Sequence, residues 1–187
     1  MSGPDVQPVT PERWDDLAEL FERPGPRGGR PVTKGCWCMF WRQSGPENKA
    51  GWGDGNRAAL EALVRSGREP GLLAYLDGEP VGWVSLGPRE EFRRLEASRV
   101  LARVDDEEVW SAVCFYVHGS FKKQGVASAV LEGAVAHAAR RGARILEGYA
   151  SKPGDDDPFT GLASMFASAG FTAVRDTGRR TIVRRHL

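Results

Sequence analysis

The chain has 187 residues, the length of one ordinary domain, and a formal net charge of +1 at pH 7. This balance excludes the strong global field of a protein that binds nucleic acid or an anionic membrane, so neither partner is predicted. No apolar run is long enough to span a membrane and the first residues lack a secretion signal, so we expect a cytoplasmic protein.

The N-terminal part predicts a strand, a helix, a long loop, a second helix and a β-hairpin. Thr10 and Pro11 are typical of a helix start, and Asp77 followed by Gly78 is typical of a tight turn between strands. The loop is rich in Gly, Pro and aromatic residues. The predicted elements are a strand over 6–10, a helix after Thr10, a loop over 24–54, a helix that ends near Gly67, and strands over 72–76 and 81–86.

The C-terminal part alternates strands with helices after a charged segment over 88–108. The run 109–117 is β-branched and aromatic, which is typical of a buried strand, and Gly142 is a typical helix stop. The predicted elements are a short helix over 91–97, a strand over 109–117, a helix over 125–141, a strand over 144–149, a helix over 161–169, and an antiparallel pair over 171–174 and 181–185.

The turn between the buried strand and the long helix combines glycine with two lysines. Backbone N–H groups at a helix start lack intrahelical partners and the helix dipole favours an anion there, so this turn predicts a phosphate site. Gly125 allows the backbone to approach a phosphate closely. The predicted phosphate contacts are Lys122, Lys123, Gln124, Gly125, Val126, Ala127 and Ser128.

Two well-known phosphate motifs do not fit this turn, because the spacing from Gly119 to Gly125 is wrong for a P-loop and Gly-x-Gly-x-x-Gly is absent. Residues 122–127 instead resemble the pyrophosphate motif of the GNAT superfamily of acyl-CoA N-acyltransferases, Gln/Arg-x-x-Gly-x-Gly/Ala. Lys122 stands in the Gln/Arg position and also donates to phosphate. The order of predicted elements and the segment 162–171, which ends in Gly-Phe, resemble the same family. Residues 36–39 and 88–110 resemble a bacterial GNAT subgroup whose substrate we cannot name.

This resemblance implies one GNAT domain over 1–187 with an α/β fold. Its mixed sheet would have antiparallel N-terminal strands, splayed fourth and fifth strands, and flanking helices. The implied reaction moves an acetyl group from acetyl-CoA to a primary amine, without metal, and many GNAT proteins form homodimers. The resemblance places pantetheine along the fourth strand, and a backbone N–H near Phe115 would stabilise the oxyanion. The predicted pantetheine contacts are Phe115, Tyr116 and Val117.

The expected proton-transfer residues depart from the family pattern. The glutamate that histone-type relatives carry on the fourth strand corresponds to Ser111, and the usual late-helix tyrosine corresponds to Phe166. A lysine-like amine has a pKa of ~10.4, so a base or a desolvating pocket is needed near pH 7. We predict Glu147 and Tyr149, which share one strand face, and Ser164 as replacements. The alternatives are a salt-bridged carboxylate, a packed aromatic ring and a surface serine.

The acceptor is expected to meet a cluster of aromatic and arginine side chains. Aromatic residues between Trp37 and Trp52 could stack on an acceptor or desolvate its amine, and the alternative is a hydrophobic lid. Three arginines, at positions 42, 94 and 99, could pair with an acceptor carboxylate, although surface ion pairs are the alternative. The predicted acceptor contacts are Trp37, Trp41, Arg42 and Arg99.

The three cysteines, Cys36, Cys38 and Cys114, are an odd number in a chain without a secretion signal, which favours reduced thiols. No further ligands stand at zinc spacing, so no metal site is predicted, and a redox or metal role is the alternative. The sequence therefore predicts acetylation of a small amine in a ternary complex. A protein N-acetyltransferase and a non-catalytic acyl-CoA-binding sensor are the alternatives.

Overall fold

The computed structural model describes residues 3–29, 31, 35–152 and 158–187, and a seven-stranded sheet runs through this part of the chain. The strand order in the sheet is β1-β2-β3-β4-β5-β7-β6. The strands are β1 (Asp5–Pro8), β2 (Gly71–Leu76), β3 (Glu79–Pro88), β4 (Trp110–Val117), β5 (Ile145–Ser151), β6 (Thr172–Asp176) and β7 (Arg180–His186). The α-helices are α1 (Trp14–Glu22), α2 (Gly45–Ala50), α3 (Asp54–Arg65), α4 (Arg93–Glu96), α5 (Val126–Arg140) and α6 (Ala163–Ser168).

The sheet is antiparallel throughout except between β4 and β5, which are parallel. These two strands pair only over their first residues, from Trp110 opposite Leu146 to Ala112 opposite Gly148. Beyond that point they separate, and a bulge in β4 shifts its register against β3 between Ala112 and Cys114. The predicted mixed sheet with splayed fourth and fifth strands is therefore confirmed.

Helices cover both faces of the sheet because each presents one apolar stripe. On one face, buried residues of α5 such as Val130 and Leu131 pack on Leu72 and Val84 of the sheet. On the other face, α1 and α3 pack with residues 36–41, here called the aromatic loop, on the alternate residues of the same strands, among them Trp83. Burial on both faces explains why β3 carries an almost continuous apolar run. No helix in the described ranges is both long and apolar enough to cross a membrane.

Most predicted elements occur within two residues of their expected bounds, and the helix α2 was missed. It lies inside the loop predicted over 24–54 and begins at a capping box, in which Ser44 and Glu47 satisfy each other's backbone N–H groups. A serine three residues before a glutamate, with proline between them, is a recognised helix start. The strand β5 extends to Ser151, two residues beyond its predicted end, and β1 ends at Pro8, two residues early.

Candidate active site

The separation of β4 from β5 leaves one edge of β4 without a strand partner in the described part of the chain. His118 donates its backbone N–H to the carbonyl of Val81 on β3, at 3.0 Å. N–H groups alternate in direction along a strand, so those of Val117 and Phe115 point away from β3 and into the gap. The turn Pro158–Thr160 lies against both β4 and β5 and borders this gap. The gap therefore offers backbone donors at its β4 edge.

The phosphate turn follows β4 directly and continues the same edge. Lys123 and Gly125 adopt left-handed backbone conformations, with φ of 63° and 77°, which turn the chain sharply into α5. The first helical hydrogen bond runs from the N–H of Ala129 to the carbonyl of Gly125. The N–H groups of Val126, Ala127 and Ser128 precede it and are free for a ligand, as at any helix start. Lys122, Lys123, Gln124 and Gly125 are exposed, and the buried Val126 fixes the helix on the sheet.

His118 braces this turn and does not face the gap as a free base. Its Nδ1 accepts a hydrogen bond from the N–H of Ser120 at 3.4 Å, so its Nε2 carries the proton that is donated to the carbonyl of Pro24 at 3.0 Å. The side chain is buried. Both ring nitrogens thus serve to hold the turn against the segment that follows α1.

A buried charged network lies where β4 and β5 still pair. Glu147 is fully buried, and its Oε1 accepts hydrogen bonds from Arg89 at 2.8 Å and from the hydroxyl of Tyr149 at 2.7 Å. Its Oε2 accepts from Nε of Arg184 at 2.8 Å. The role predicted for Glu147 in proton transfer stays a prediction, and its contacts are those of a doubly paired buried carboxylate. We call Ser111, Tyr149, Glu147, Arg89 and Arg184 the buried network.

The hydroxyl groups of this network form a continuous chain. The hydroxyl of Tyr149 donates to Glu147, so it accepts from the hydroxyl of Ser111, whose oxygen is 2.9 Å away. Burial, and then the charge of Glu147, raises the pKa of Tyr149 well above its usual value, so this phenol keeps its proton near neutral pH. Ser111, where the resemblance would place a base, connects through Tyr149 to the carboxylate of Glu147.

The late helix provides no proton donor at the position that resembles the family tyrosine. Phe166 is fully buried and meets the rings of Phe115 and Phe171 edge-on, with centroids 5.8 and 5.1 Å away. A Cβ on Gly148 would lie only 2.4 Å from this ring, so glycine is required at the point where β4 and β5 separate. Ser164 lies exposed at the start of α6, and its catalytic role stays a prediction.

The predicted acceptor residues lie in different environments. Trp37 is buried in the core, stacked on Trp14 at 6.2 Å. Arg42 is buried and donates to Glu91 at 2.6 Å and to two backbone carbonyls. Trp41 is partly buried against the cluster that contains Val113 of β4, and Arg99 is exposed. Their roles toward an acceptor stay predictions, and Trp41 is the one whose side chain packs nearest the start of the gap.

Three features of this site carried no signal strong enough for prediction from the sequence. Arg89 follows β3 in a charged segment, yet its side chain is buried and makes hydrogen bonds to Glu96, Glu147 and Tyr149. The thiol of Cys38 lies 3.6 Å from that of Cys114, which fixes the aromatic loop over β4. The third feature is the stacking of Arg94 on Phe40. Among the described side chains, no three His, Cys, Asp or Glu residues converge as a metal site would require.

Comparison with protein families identifies a match over much of this site. A model described as the acetyltransferase (GNAT) family matches residues 34–154, which include the aromatic loop, β4, the phosphate turn and β5. A search of curated proteins gives no matching sequence.

Solved structures share the fold along nearly the whole chain. An acetyltransferase of the GNAT family from Listeria monocytogenes has a TM-score of 0.61 at 9% identity, with 98% of this chain and 95% of that chain covered. A polyamine N-acetyltransferase of Drosophila melanogaster, which forms N-acetylagmatine, has a TM-score of 0.57 at 13% identity, with 98% and 100% covered. The PaiA N-acetyltransferase of Thermoplasma acidophilum, solved with coenzyme A, has a TM-score of 0.56 at 12% identity, with both chains fully covered.

Proposed function

Because the chain belongs to the acetyltransferase (GNAT) family, we propose that it transfers the acetyl group of acetyl-CoA directly to a primary amine of a small molecule. In this reaction the amine nitrogen bonds to the thioester carbon and the bond from that carbon to the CoA sulfur breaks. One proton leaves the amine, and one proton ends on the CoA thiolate. No covalent enzyme intermediate is needed.

The observation that carries this proposal is the continuity of the open β4 edge with the phosphate turn. We propose that the pyrophosphate binds residues 122–128, because free N–H groups, a left-handed glycine and two exposed lysines meet there. The pantetheine amides would then pair with the backbone of β4 at Phe115 and Val117, while the backbone of Tyr116, between them, faces β3. The coenzyme A bound to the Thermoplasma acidophilum relative supports the same ligand here.

We propose that a backbone N–H of the open β4 edge stabilises the oxyanion that forms on the thioester. The N–H of Phe115 points into the gap, next to the β4 bulge. A backbone donor held in a strand needs no reorganisation when the charge develops, which makes it an effective oxyanion donor. Because this donor is main chain, the proposal requires no particular side chain at position 115.

For the amine proton we propose a relay through the buried network. The amine would give its proton to the oxygen of Ser111 while Ser111 passes its own proton to Tyr149 and Tyr149 passes its proton to Glu147. The two donor–acceptor distances, 2.9 and 2.7 Å, suit such a transfer. Arg89 and Arg184 hold the carboxylate of Glu147 in place for this transfer. Ser164 is proposed as the group that returns a proton to CoA.

The first experiment is a calorimetric titration of the purified protein with acetyl-CoA and, in parallel, with CoA. We expect micromolar dissociation constants, about −8 kcal/mol, followed by release of CoA when a suitable amine is added. Absence of binding over a range of temperatures would remove the support for the donor site. Binding without turnover on any small amine or peptide would favour the non-catalytic acyl-CoA sensor, which the buried Phe166 also supports.

A second experiment tests the relay with Tyr149→Phe, which removes the hydroxyl and keeps the packed ring. We expect kcat to decrease about 100-fold, the lower range for loss of general acid–base catalysis. Tyr75→Phe is the matched control, because Tyr75 also donates its hydroxyl to a carboxylate, that of Asp16 at 2.7 Å, and lies on β2, three strands from β5. An unchanged kcat in Tyr149→Phe would make the network purely structural, and Glu147→Gln should then leave the pH–rate profile unchanged too.

The remaining alternative is a protein N-acetyltransferase, which would acetylate a peptide amine faster than free amines in the same assay. We also propose a cytoplasmic location, because all three cysteines are unpaired and unpaired thiols are typical of a reducing compartment.

A further inference from the structure

Arg94, on α4, stacks on the aromatic loop and has no carboxylate partner among the described residues. Its guanidinium carbon lies 3.7 Å from the ring centroid of Phe40, so the planar group stacks on that ring. Its Nε is buried without a hydrogen-bond partner. Its two Nη atoms are not buried and make no hydrogen bond to the described chain. The two Nη atoms of the guanidinium are thus free to act as a bidentate hydrogen-bond donor.

Three other arginines near α4 are paired with acids, whereas Arg99 is exposed. Arg93 makes two hydrogen bonds to Glu47 on α2, at 2.8 and 2.9 Å. Arg89 is paired with Glu96 and with Glu147. Arg103 also binds Glu96. The guanidinium of Arg94 is half-buried without an acidic partner. Its desolvation is therefore unfavourable unless a ligand supplies a negative charge.

The position of Arg94 connects it to the start of the gap between β4 and β5. Phe92 and Leu95, on either side of it, pack in one cluster with Val113 of β4 and Tyr149 of β5. The backbone N–H of Arg94 donates to the carbonyl of Trp41, and the ring of Trp41 meets Phe40 edge-on at 5.1 Å. Arg94 and Phe40 therefore form the outer part of the layer that covers the bulge of β4.

We propose that Arg94 binds a carboxylate on the acceptor, so that the acceptor is an amine that also carries a carboxylate group. This inference rests on the proposed function and narrows its substrate class. A guanidinium binds a carboxylate through two parallel N–H···O hydrogen bonds, for which the two free Nη atoms are suited. Phe40, which is 38% exposed, holds the plane of the guanidinium and fixes the direction of these donors.

The test measures kcat/KM for CoA release with ω-amino acids of two to six carbons and with the carboxamide of each. The carboxamide keeps the size and removes the charge. We expect the wild-type protein to prefer the acid at one chain length, and Arg94→Gln to lower the acid-to-amide ratio about 10- to 100-fold, as for loss of a charged hydrogen-bonded pair. Arg93→Gln, the control, should leave the ratio within twofold. Because ratios are compared between variants, differences in amine pKa cancel.

Two outcomes would overturn the inference: equal acid-to-amide ratios in the wild type and Arg94→Gln, or a wild type that favours amides at every length. If Arg94→Gln fails to fold, Arg94→Lys should lower the ratio less than tenfold, and Phe40→Leu should lower it a few-fold while the amide rate is unchanged.

A binding experiment separates failure of the inference from failure of the proposed function. Saturation-transfer NMR would follow N-acetyl-ω-amino acids and their amides on the CoA-loaded protein. If no amine releases CoA, the proposed function fails, and acid binding that is lost in Arg94→Gln would still support the anion site. If amines are acetylated and acid binding is equal in both proteins, the function stands and the carboxylate site fails.

Discussion

The two sides of the candidate site are built from different parts of the chain. The proposed donor side uses backbone N–H groups of β4 and of the start of α5, and the side chains of residues 122–124 in its phosphate turn are exposed. The proposed acceptor side rests on the buried network, in which Glu147 and Arg89 are each about 1% exposed at the side chain. Backbone donors are fixed by secondary structure alone, whereas buried charges must satisfy one another. Donor binding should therefore tolerate many side-chain changes, whereas the buried network should lose stability when one of its charged partners is removed.

The largest expected effect is on stability, from Arg89→Gln. It leaves the buried carboxylate of Glu147 with one arginine fewer, so we expect the free energy of unfolding to decrease by about 3–5 kcal/mol in urea denaturation. Adding Glu147→Gln should recover part of this loss, since no unpaired charge then remains. Arg65→Gln is the control, because its bond to Glu61 is as short but exposed, and it should cost less than about 1 kcal/mol. If Arg89→Gln lowers the free energy of unfolding as little as this control does, the buried charges do not depend on one another for stability.

The next effect is on donor binding, from Gly125→Asp. The position has room for a side chain, but φ is 77° and a carboxylate there would face the pyrophosphate. We expect affinity for acetyl-CoA to decrease about 100-fold, because like charges meet at a site built for an anion. Calorimetry measures the change.

Two controls accompany this variant. Gly125→Asn has the same shape without the charge and tolerates the left-handed conformation, so it should bind far better than the aspartate variant. Gly142→Asp imposes the same backbone strain, at φ 85°, on the opposite end of α5. It should bind normally, and equal losses in all three variants would mean that backbone strain, and not charge, caused them.

The smallest effect comes from Lys122→Gln combined with Lys123→Gln. Both side chains are exposed, so we expect affinity for acetyl-CoA to decrease only about 3- to 10-fold at low salt, since exposed pairs contribute ~0.2–1 kcal/mol each. The difference in acetyl-CoA affinity between the wild type and this variant should become smaller at 0.5 M NaCl, because salt screens exposed charges. Arg140→Gln with Arg141→Gln, at the far end of α5, is the control. A loss as large as that of Gly125→Asp would show that the lysines, and not the backbone, hold the pyrophosphate.

The phosphate turn and the order of elements could be predicted because both depend on local pattern. In the turn between the apolar strand and the amphipathic helix, a glycine follows two lysines. These few neighbouring residues are enough to determine the backbone conformation of the turn. The capping box at Ser44 and Glu47 was equally local, and the helix α2 could have been predicted from it. Local signals of this kind need no knowledge of the rest of the fold.

The acceptor side could not be predicted, because its contacts join residues far apart in the chain. Arg89 and Arg184 each look like an exposed arginine in a charged or alternating segment, and only the pairing of β5 with both β4 and β7 brings them to Glu147. Trp37 and Arg42 look like acceptor contacts in an aromatic loop, yet folding buries both. The side chain of an arginine is long and flexible, so the periodicity of the sequence does not indicate where its charged end lies.

The sequence by itself therefore determined the family and the α/β fold and is the basis of the proposed donor site, since apolar periodicity, glycine and the helix start act over short distances. The tertiary structure decided which charges are buried together and that the half-buried Arg94 has no acid beside it. That distinction depends on the packing of α4 and the aromatic loop over the bulge of β4. Desolvation then requires a partner for each buried charge, and only the three-dimensional arrangement shows that Arg94 still lacks a carboxylate partner within the described chain.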